Sequence, residues 1–253
     1  MSILQRLTIR WTMIIIVALS TVTISYYTVR DLVFSIKTEH QKKALYELVK
    51  LSEALSKLIH ETQKERGASA GYLGSHGKKF KDILAKQRLL TNERIKEYKE
   101  VLSKMNMNDY PVELRDDIAE LNDYLAKLPT IRNEVSDFQI SLKNEVAWYT
   151  KMNAVMLKIV GNTATLAPNE KIAMDLAAYV SFLKAKERAG IERAVLSATF
   201  AADHFKPGMF VKFITLVSEQ NAFINDFLSF ASPEMKKCIE KLYNLPLLRK
   251  LKE

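Results

Sequence analysis

Two short triplets hold the residues best suited to chemistry. Lys64-Glu65-Arg66 and Lys186-Glu187-Arg188 are each followed by small residues: Gly67, Ala68, Ser69, Ala70 and Gly71 after the first, Ala189 and Gly190 after the second. Both glutamates fall on stripes that recur every three or four positions. The first stripe is Leu48, Leu51, Leu55, Leu58, Thr62, Glu65, Ser69 and Tyr72. The second is Ala173, Leu176, Val180, Leu183, Glu187, Gly190, Ala194 and Ala198. Such spacing marks the inward face of a helix. A carboxylate on that face must be paired or must reach water, because burying it alone is costly. Arg66 and Arg188 can supply partners if the two helices lie side by side, and Arg193 adds another cation. The small residues let backbones approach closely and leave a pocket. The chemistry this pattern supports is ion binding. The same residues also fit a solvated helix face, with Arg188 paired to Glu192 one turn on.

Other motifs fall short of a catalytic or metal site. Gly67-Ala68-Ser69-Ala70-Gly71 has the spacing of a nucleophile elbow, but that motif needs a strand before it and a helix after it. His60-Glu61 opens a zinc signature in which Lys64 takes the place of the second histidine. His40, His60, His76 and His204 show no ligand spacing, so no metal site is expected. A single cysteine, Cys238, excludes an intrachain disulfide and reads as a small buried apolar residue. Trp148 and the methionines read as core. No enzymatic activity and no cofactor are expected.

The elements that must position the triplets are helices. The chain has 253 residues, 48% of them hydrophobic, with only 7 Gly and 6 Pro. That is enough chain to bury a core and too few turn residues for an all-β fold. Gly74-Ser75-His76-Gly77 ends a first helix, and Asn106 to Pro111 ends a second that begins near Phe80. Pro129 separates a short third helix from a fourth ending near Gly161. Residues 161–168 form a linker, and Pro168-Asn169 opens a fifth helix that stops at His204 to Gly208. Met209 to Ala231 is a sixth, and Ser232 caps a short last one. The expected class is all-α, with long helices packed as antiparallel bundles.

Trp11 to Val29 is a run of 19 uncharged residues. At helical rise it spans roughly 28 Å, close to the hydrocarbon thickness of a bilayer. Arg6 and Arg10 precede it, and none of the 29 acidic residues lies in residues 1–30. This predicts a cytoplasmic N-terminus over 1–10, a transmembrane helix over 11–29 and an extracytoplasmic domain over 31–253. No later run is long enough to cross again, so a single span is expected. A cleaved signal peptide fits less well, since no small-residue exit site follows the run. The net charge of +9 is spread among many acids, which argues against a nucleic-acid partner.

Leu58-Ile59-His60-Glu61-Thr62-Gln63-Lys64-Glu65-Arg66-Gly67-Ala68-Ser69-Ala70-Gly71-Tyr72-Leu73 resembles the opening of the NIT domain, the nitrate- and nitrite-sensing domain of bacterial receptors. Gln87-Arg88-Leu89-Leu90-Thr91-Asn92 resembles a second segment of that family, with Asn92 where aspartate is usual. Tyr179 to Ala194 resembles its second signature, and Phe213 to Phe230, with Glu219-Gln220, its tail. The likeness covers roughly 45–235. It implies two antiparallel four-helix bundles and a nitrate or nitrite anion held between helices by arginines.

Arg66, Arg188 and Arg193 are the arginines this resemblance points to, with Arg88 as a fourth and Glu65 and Glu187 as ion-pair partners. A guanidinium is planar and presents paired N–H donors, so it can meet two oxygens of a planar oxyanion at once. The reading is a periplasmic sensor held in the bacterial inner membrane, acting as a homodimer along the Leu48 stripe, unless that stripe is core. Binding would draw the first and fifth helices together and pass a shift across the bilayer to a cytoplasmic output module or partner receptor not present in this chain. The alternative is an anchored helical scaffold or adaptor that binds a protein partner without a small ligand.

Overall fold

The computed structural model describes residues 9–167, 169–205 and 207–243. They form helices α1 (Ile9–Gly74), α2 (Lys81–Leu102), α3 (Val112–Ser136), α4 (Leu142–Thr165), α5 (Glu170–Ala202), α6 (Met209–Phe230) and α7 (Pro233–Tyr243), with one 3-10 turn at Met107–Asp109. No strand occurs among the described residues, so the fold is all-α as expected. The chain divides into two units, 1–46 and 47–253.

In the first unit, α1 exposes Ile14, Ile15, Ile16, Val17, Leu19, Val22 and Ile24. The hydroxyls of Ser20, Thr21, Thr23 and Thr28 each donate to the carbonyl four residues back, at 2.8–2.9 Å. Polar groups are thereby satisfied inside the helix, as an apolar surrounding demands. By length and composition this stretch can cross a membrane. The flank at 1–8, including Arg6, and the chain end beyond Tyr243 lie outside the described residues.

In the second unit, α1 to α4 gather around one large core. Leu48, Leu51, Leu55 and Leu58 of α1 are buried there with Tyr98 of α2, Leu114, Leu121 and Leu128 of α3, and Tyr149, Met152 and Met156 of α4. The Leu48 stripe is therefore covered within the chain and is not a free seam for a second copy. Helix α5 packs on α4 and α6 and sends Val180 and Leu183 into the same core. Smaller cores join α5 to α6 through Ile191, Val195 and Leu216, and to α7 through Ala178, Phe227 and Met235.

Two boundaries differ from expectation. Pro129 lies inside α3 rather than at its end. A proline costs a helix about 3 kcal/mol, but Leu121, Leu125, Leu128 and Val135 on either side of it are buried and hold the helix together. The real break comes after Ser136, where Phe138 takes a left-handed φ of 58° and Ser141 caps α4 by accepting from the Asn144 N–H. Helix α4 also runs on to Thr165 instead of stopping near Gly161. Elsewhere the turn chemistry follows the sequence: Asn169 accepts from Lys171 and Ile172 at the start of α5, and Ser232 from Met235 at the start of α7.

The turns at one end of α1–α4 clasp each other. Tyr72 stacks on Phe138 with ring centroids 5.1 Å apart. Gly77, at φ 76°, brings its backbone so close that a Cβ would sit 3.0 Å from the Phe138 ring. His76 and Phe80 also take left-handed φ.

Candidate functional site

The first triplet places Glu65 and Arg66 next to each other on α1, aimed at different neighbours. Glu65 is fully buried. Its carboxylate accepts two hydrogen bonds from Arg132 of α3, at 2.7 and 2.8 Å, and one from the Tyr149 hydroxyl of α4 at 2.8 Å. Arg66, also buried, reaches α4 and α5. Its Nη1 donates to Thr150 Oγ1 at 2.9 Å and to Glu187 Oε1 at 2.5 Å. Its Nη2 has only a stretched contact, 3.5 Å, to Glu187 Oε2. Gly190, one turn along α5 from Glu187, leaves room for that corner of the guanidinium: a Cβ there would stand 3.3 Å from Nη2. Gln63 steadies Glu187 from α1, donating to Oε2 at 2.6 Å.

Arg88 of α2 closes the group from the far side. Its Nη1 donates to Ser136 Oγ and its Nη2 to the Arg132 carbonyl, both at 2.9 Å. Burial pulls its pKa down and the charge of Glu65 opposes this, so the group stays a cation. Arg132 in turn donates to Asn92 Oδ1 at 2.7 Å, so the asparagine found where aspartate is usual still takes an arginine contact.

Three buried polar groups around Glu65 and Arg66 have no partner among the described residues: Arg88 Nε, Ser69 Oγ and both carboxyl oxygens of Glu145. Buried donors without acceptors are rare and expensive. An arginine N–H and a serine hydroxyl are donors that a small anion would satisfy. Glu145 is fully buried, and burial pushes its carboxyl pKa up to about 9. Arg66 pulls the other way and Glu65 adds to the rise.

Of the expected residues, Arg66, Glu65, Glu187 and Arg88 come together, across α1, α2 and α5. Arg188 and Arg193 do not join them. Arg188 is partly exposed and pairs with Glu219 of α6 through Nε at 2.8 Å, rather than with Glu192. Glu192 instead accepts from Gln220. Arg193 is exposed on α5 and makes no hydrogen bond or ion pair with a described residue. Helical geometry accounts for this: with Glu187 facing α1, residue 188 turns about 100° and residue 193 about 120° away from it. Lys186 points back toward α1, its Nζ 3.0 Å from His60 Nδ1, and burial lowers the pKa of both groups. Arg132, Tyr149, Thr150 and Glu145 escaped the sequence reading. Only their spacing on α3 and α4 stripes could have pointed to them. Cys238 proves exposed, not buried.

The chain is 26% identical over 196 residues to the nitrate regulatory protein of Klebsiella oxytoca, a match covering 76% of this chain and 49% of that protein. Its fold matches the solved structure of the NasR transcription antiterminator with a TM-score of 0.77 at 24% identity, over 85% of this chain and 59% of that one. The chain thus spans about half the length of the curated relative it matches. These likenesses overturn the expectation of an extracytoplasmic module of a membrane receptor that passes a helix shift across the bilayer: the similar proteins are a nitrate regulator and a transcription antiterminator. The triplets and their small neighbours belong to the sensing fold and carry no information about an output. The family model described as nitrate and nitrite sensing matches residues 57–250, from just ahead of the first triplet past the second, and the chain belongs to that family, NIT.

Proposed function

We propose that this chain binds nitrate or nitrite at the Arg66 guanidinium and that occupancy changes how α1 and α5 pack. The observation that carries this reading is a buried arginine held by a carboxylate from another helix, with unfilled donors on Ser69 and Arg88 nearby. The seat is closed: Arg66 rests on Glu187. An entering anion takes over part of that contact at the loosely held Nη2, and Glu187 moves with α5. The anion shifts the balance of the two packings only by its differential affinity for them. The nitrate regulatory role of the Klebsiella relative supports a regulatory output driven by this change.

The test is a titration of the full chain with nitrate, nitrite and chloride, followed by calorimetry and thermal unfolding. Nitrate at about 100 times its Kd stabilises the folded form by about 2.7 kcal/mol. Equal chloride does not. Arg66→Lys keeps the charge but loses the paired donors, so affinity falls at least tenfold. An Arg66→Lys chain that responds to nitrate like the parent removes Arg66 from the seat. A parent that ignores both oxyanions leaves the scaffold reading instead.

The exposed apolar run of α1 supports a further element: residues 11–29 lie in lipid. Ile16→Lys together with Leu19→Lys costs about 2.5–3.5 kcal/mol per lysine at a helix centre in a bilayer. The doubly substituted chain moves from the membrane to the soluble fraction of a cell lysate. Unaltered partitioning refutes membrane insertion.

A further inference from the structure

The cluster around Glu65 and Arg66 contains more charge than its ion pairs use. Its cations are Arg66, Arg88 and Arg132, and its paired carboxylates are Glu65 and Glu187. One positive charge is left over, provided that Glu145 carries none. Glu145 lies on α4 one turn before Tyr149, inside the same cluster. No donor among the described residues reaches either of its oxygens, although it sits in the first turn of α4, where free backbone N–H groups favour a carboxylate. A fully buried carboxyl group in this state is held as the neutral acid. If it ionised, the cluster would be balanced without a ligand.

We propose that Glu145 sets the affinity of the anion seat by carrying a proton: neutral, it leaves the cluster one charge positive and receptive to a monovalent oxyanion; ionised, it cancels that charge and empties the seat. This rests on the sensing reading above. Glu145 acts through charge and does not touch the anion. The groups that face it or lie in the same cluster are Glu65 and Arg66 of α1, Arg88 of α2, Arg132 of α3, Tyr149 of α4 and Glu187 of α5; Lys186 of α5 lies at the edge, its Nζ turned to His60, and stands outside the charge count. Of these, Lys186 also gives up its charge more easily than an ordinary lysine, because it is half-buried. Its loss would likewise weaken anion binding, so the test must separate the two.

Nitrate affinity of the full chain is measured by calorimetry from pH 6.5 to 10.5, alongside Glu145→Gln, which retains Lys186. In the parent, affinity is level at neutral pH and falls above about 9, approaching tenfold per pH unit, with one proton taken up per anion bound in that range. In Glu145→Gln this fall is absent, and any remaining decline belongs to Lys186. Equal slopes in the two chains, or a parent whose affinity is level to pH 10.5, overturn the proposal. A second measurement does not need the ligand. Infrared difference spectra between the two chains show a protonated carboxyl band at pH 7 that disappears through pH 9 to 10. A missing band at pH 7 refutes the neutral acid even if nitrate binds. A band that titrates in a parent that binds no nitrate refutes the sensing reading, and the proposed gating with it, while leaving the acid's protonation established.

Discussion

Removing Arg132 tests the logic of the buried cluster most directly. Its side chain is 12% exposed and that of Glu65 is not exposed at all. Arg132→Met deletes the two charge-assisted hydrogen bonds to Glu65, of 2.7 and 2.8 Å, together with those to Asn92 Oδ1 and the Arg88 carbonyl, and keeps most of the apolar stem. It leaves Glu65 with Tyr149 as its one remaining donor among the described residues. Breaking a buried pair from one side costs about 3–5 kcal/mol. The charge of Arg88 still bears on Glu65 and softens the loss, so the expected cost is at the lower end, about 3 kcal/mol. Glu65→Gln alone keeps the shape and costs about 2 kcal/mol, since its amide can still accept from Tyr149 but cannot take both arginine bonds. With both substitutions no unpaired charge remains on Glu65, and the pair costs less than the two singles together by about 2 kcal/mol. The assay is urea unfolding of the full chain by circular dichroism, at fixed salt and pH 7, for all four chains of the cycle. Costs that add, with no coupling, would refute the view that Arg132 is there to neutralise Glu65. They would make the cluster a set of independent contacts.

Two further outcomes follow from the same geometry. Glu145→Gln stabilises the fold increasingly with pH: the native group binds its proton up to about 9 and the unfolded one only to about 4.5, so the parent loses stability between those values and levels off above them; a difference between the two unfolding free energies that stays constant with pH refutes the buried neutral acid. Gly190→Ala puts a methyl 3.3 Å from Arg66 Nη2; it lowers nitrate affinity at least fivefold with a stability change within about 1 kcal/mol, and calorimetry showing parental affinity refutes the loosely held corner as the entry point.

The sequence announces the helices well and the site only in part. The Leu48 stripe lies on the inner face of α1 because strict three–four spacing leaves a helix no other way to hide its leucines. Glu65 and Glu187 stand out because a charge on such a stripe is a conflict that only tertiary structure resolves. What resolves it is not visible locally. Arg132 pairs across 67 positions; it falls on the α3 stripe of Leu121, Leu125 and Leu128, but nothing near it in the sequence says which carboxylate it meets. Glu145 lies in the first turn of α4, where acids usually stay solvated, so its burial looks improbable until α1 is laid against it. Arg188 misled for the opposite reason: it belongs to the right triplet, yet a single helical step turns it toward α6. Pro129 misled because local helix-breaking was outweighed by apolar residues on both sides.

The clasp of Tyr72 on Phe138, with left-handed residues on both sides of it, governs where the molecule can be modified. A fluorophore or affinity tag grafted at Gly77 or Phe138 would have to unstack the rings and bend the backbone out of φ values that few side chains accept. The connection between α2 and α3 at the other end is anchored by buried Met105 and Tyr110, but Lys104, Asn106 and Asn108 on it are exposed and none takes a left-handed φ. With the exposed Cys238 replaced by serine, a dye attached to a cysteine introduced at Lys104 can therefore report on the bundle without disturbing it, which makes that turn the place to attach a probe for following ligand-driven motion.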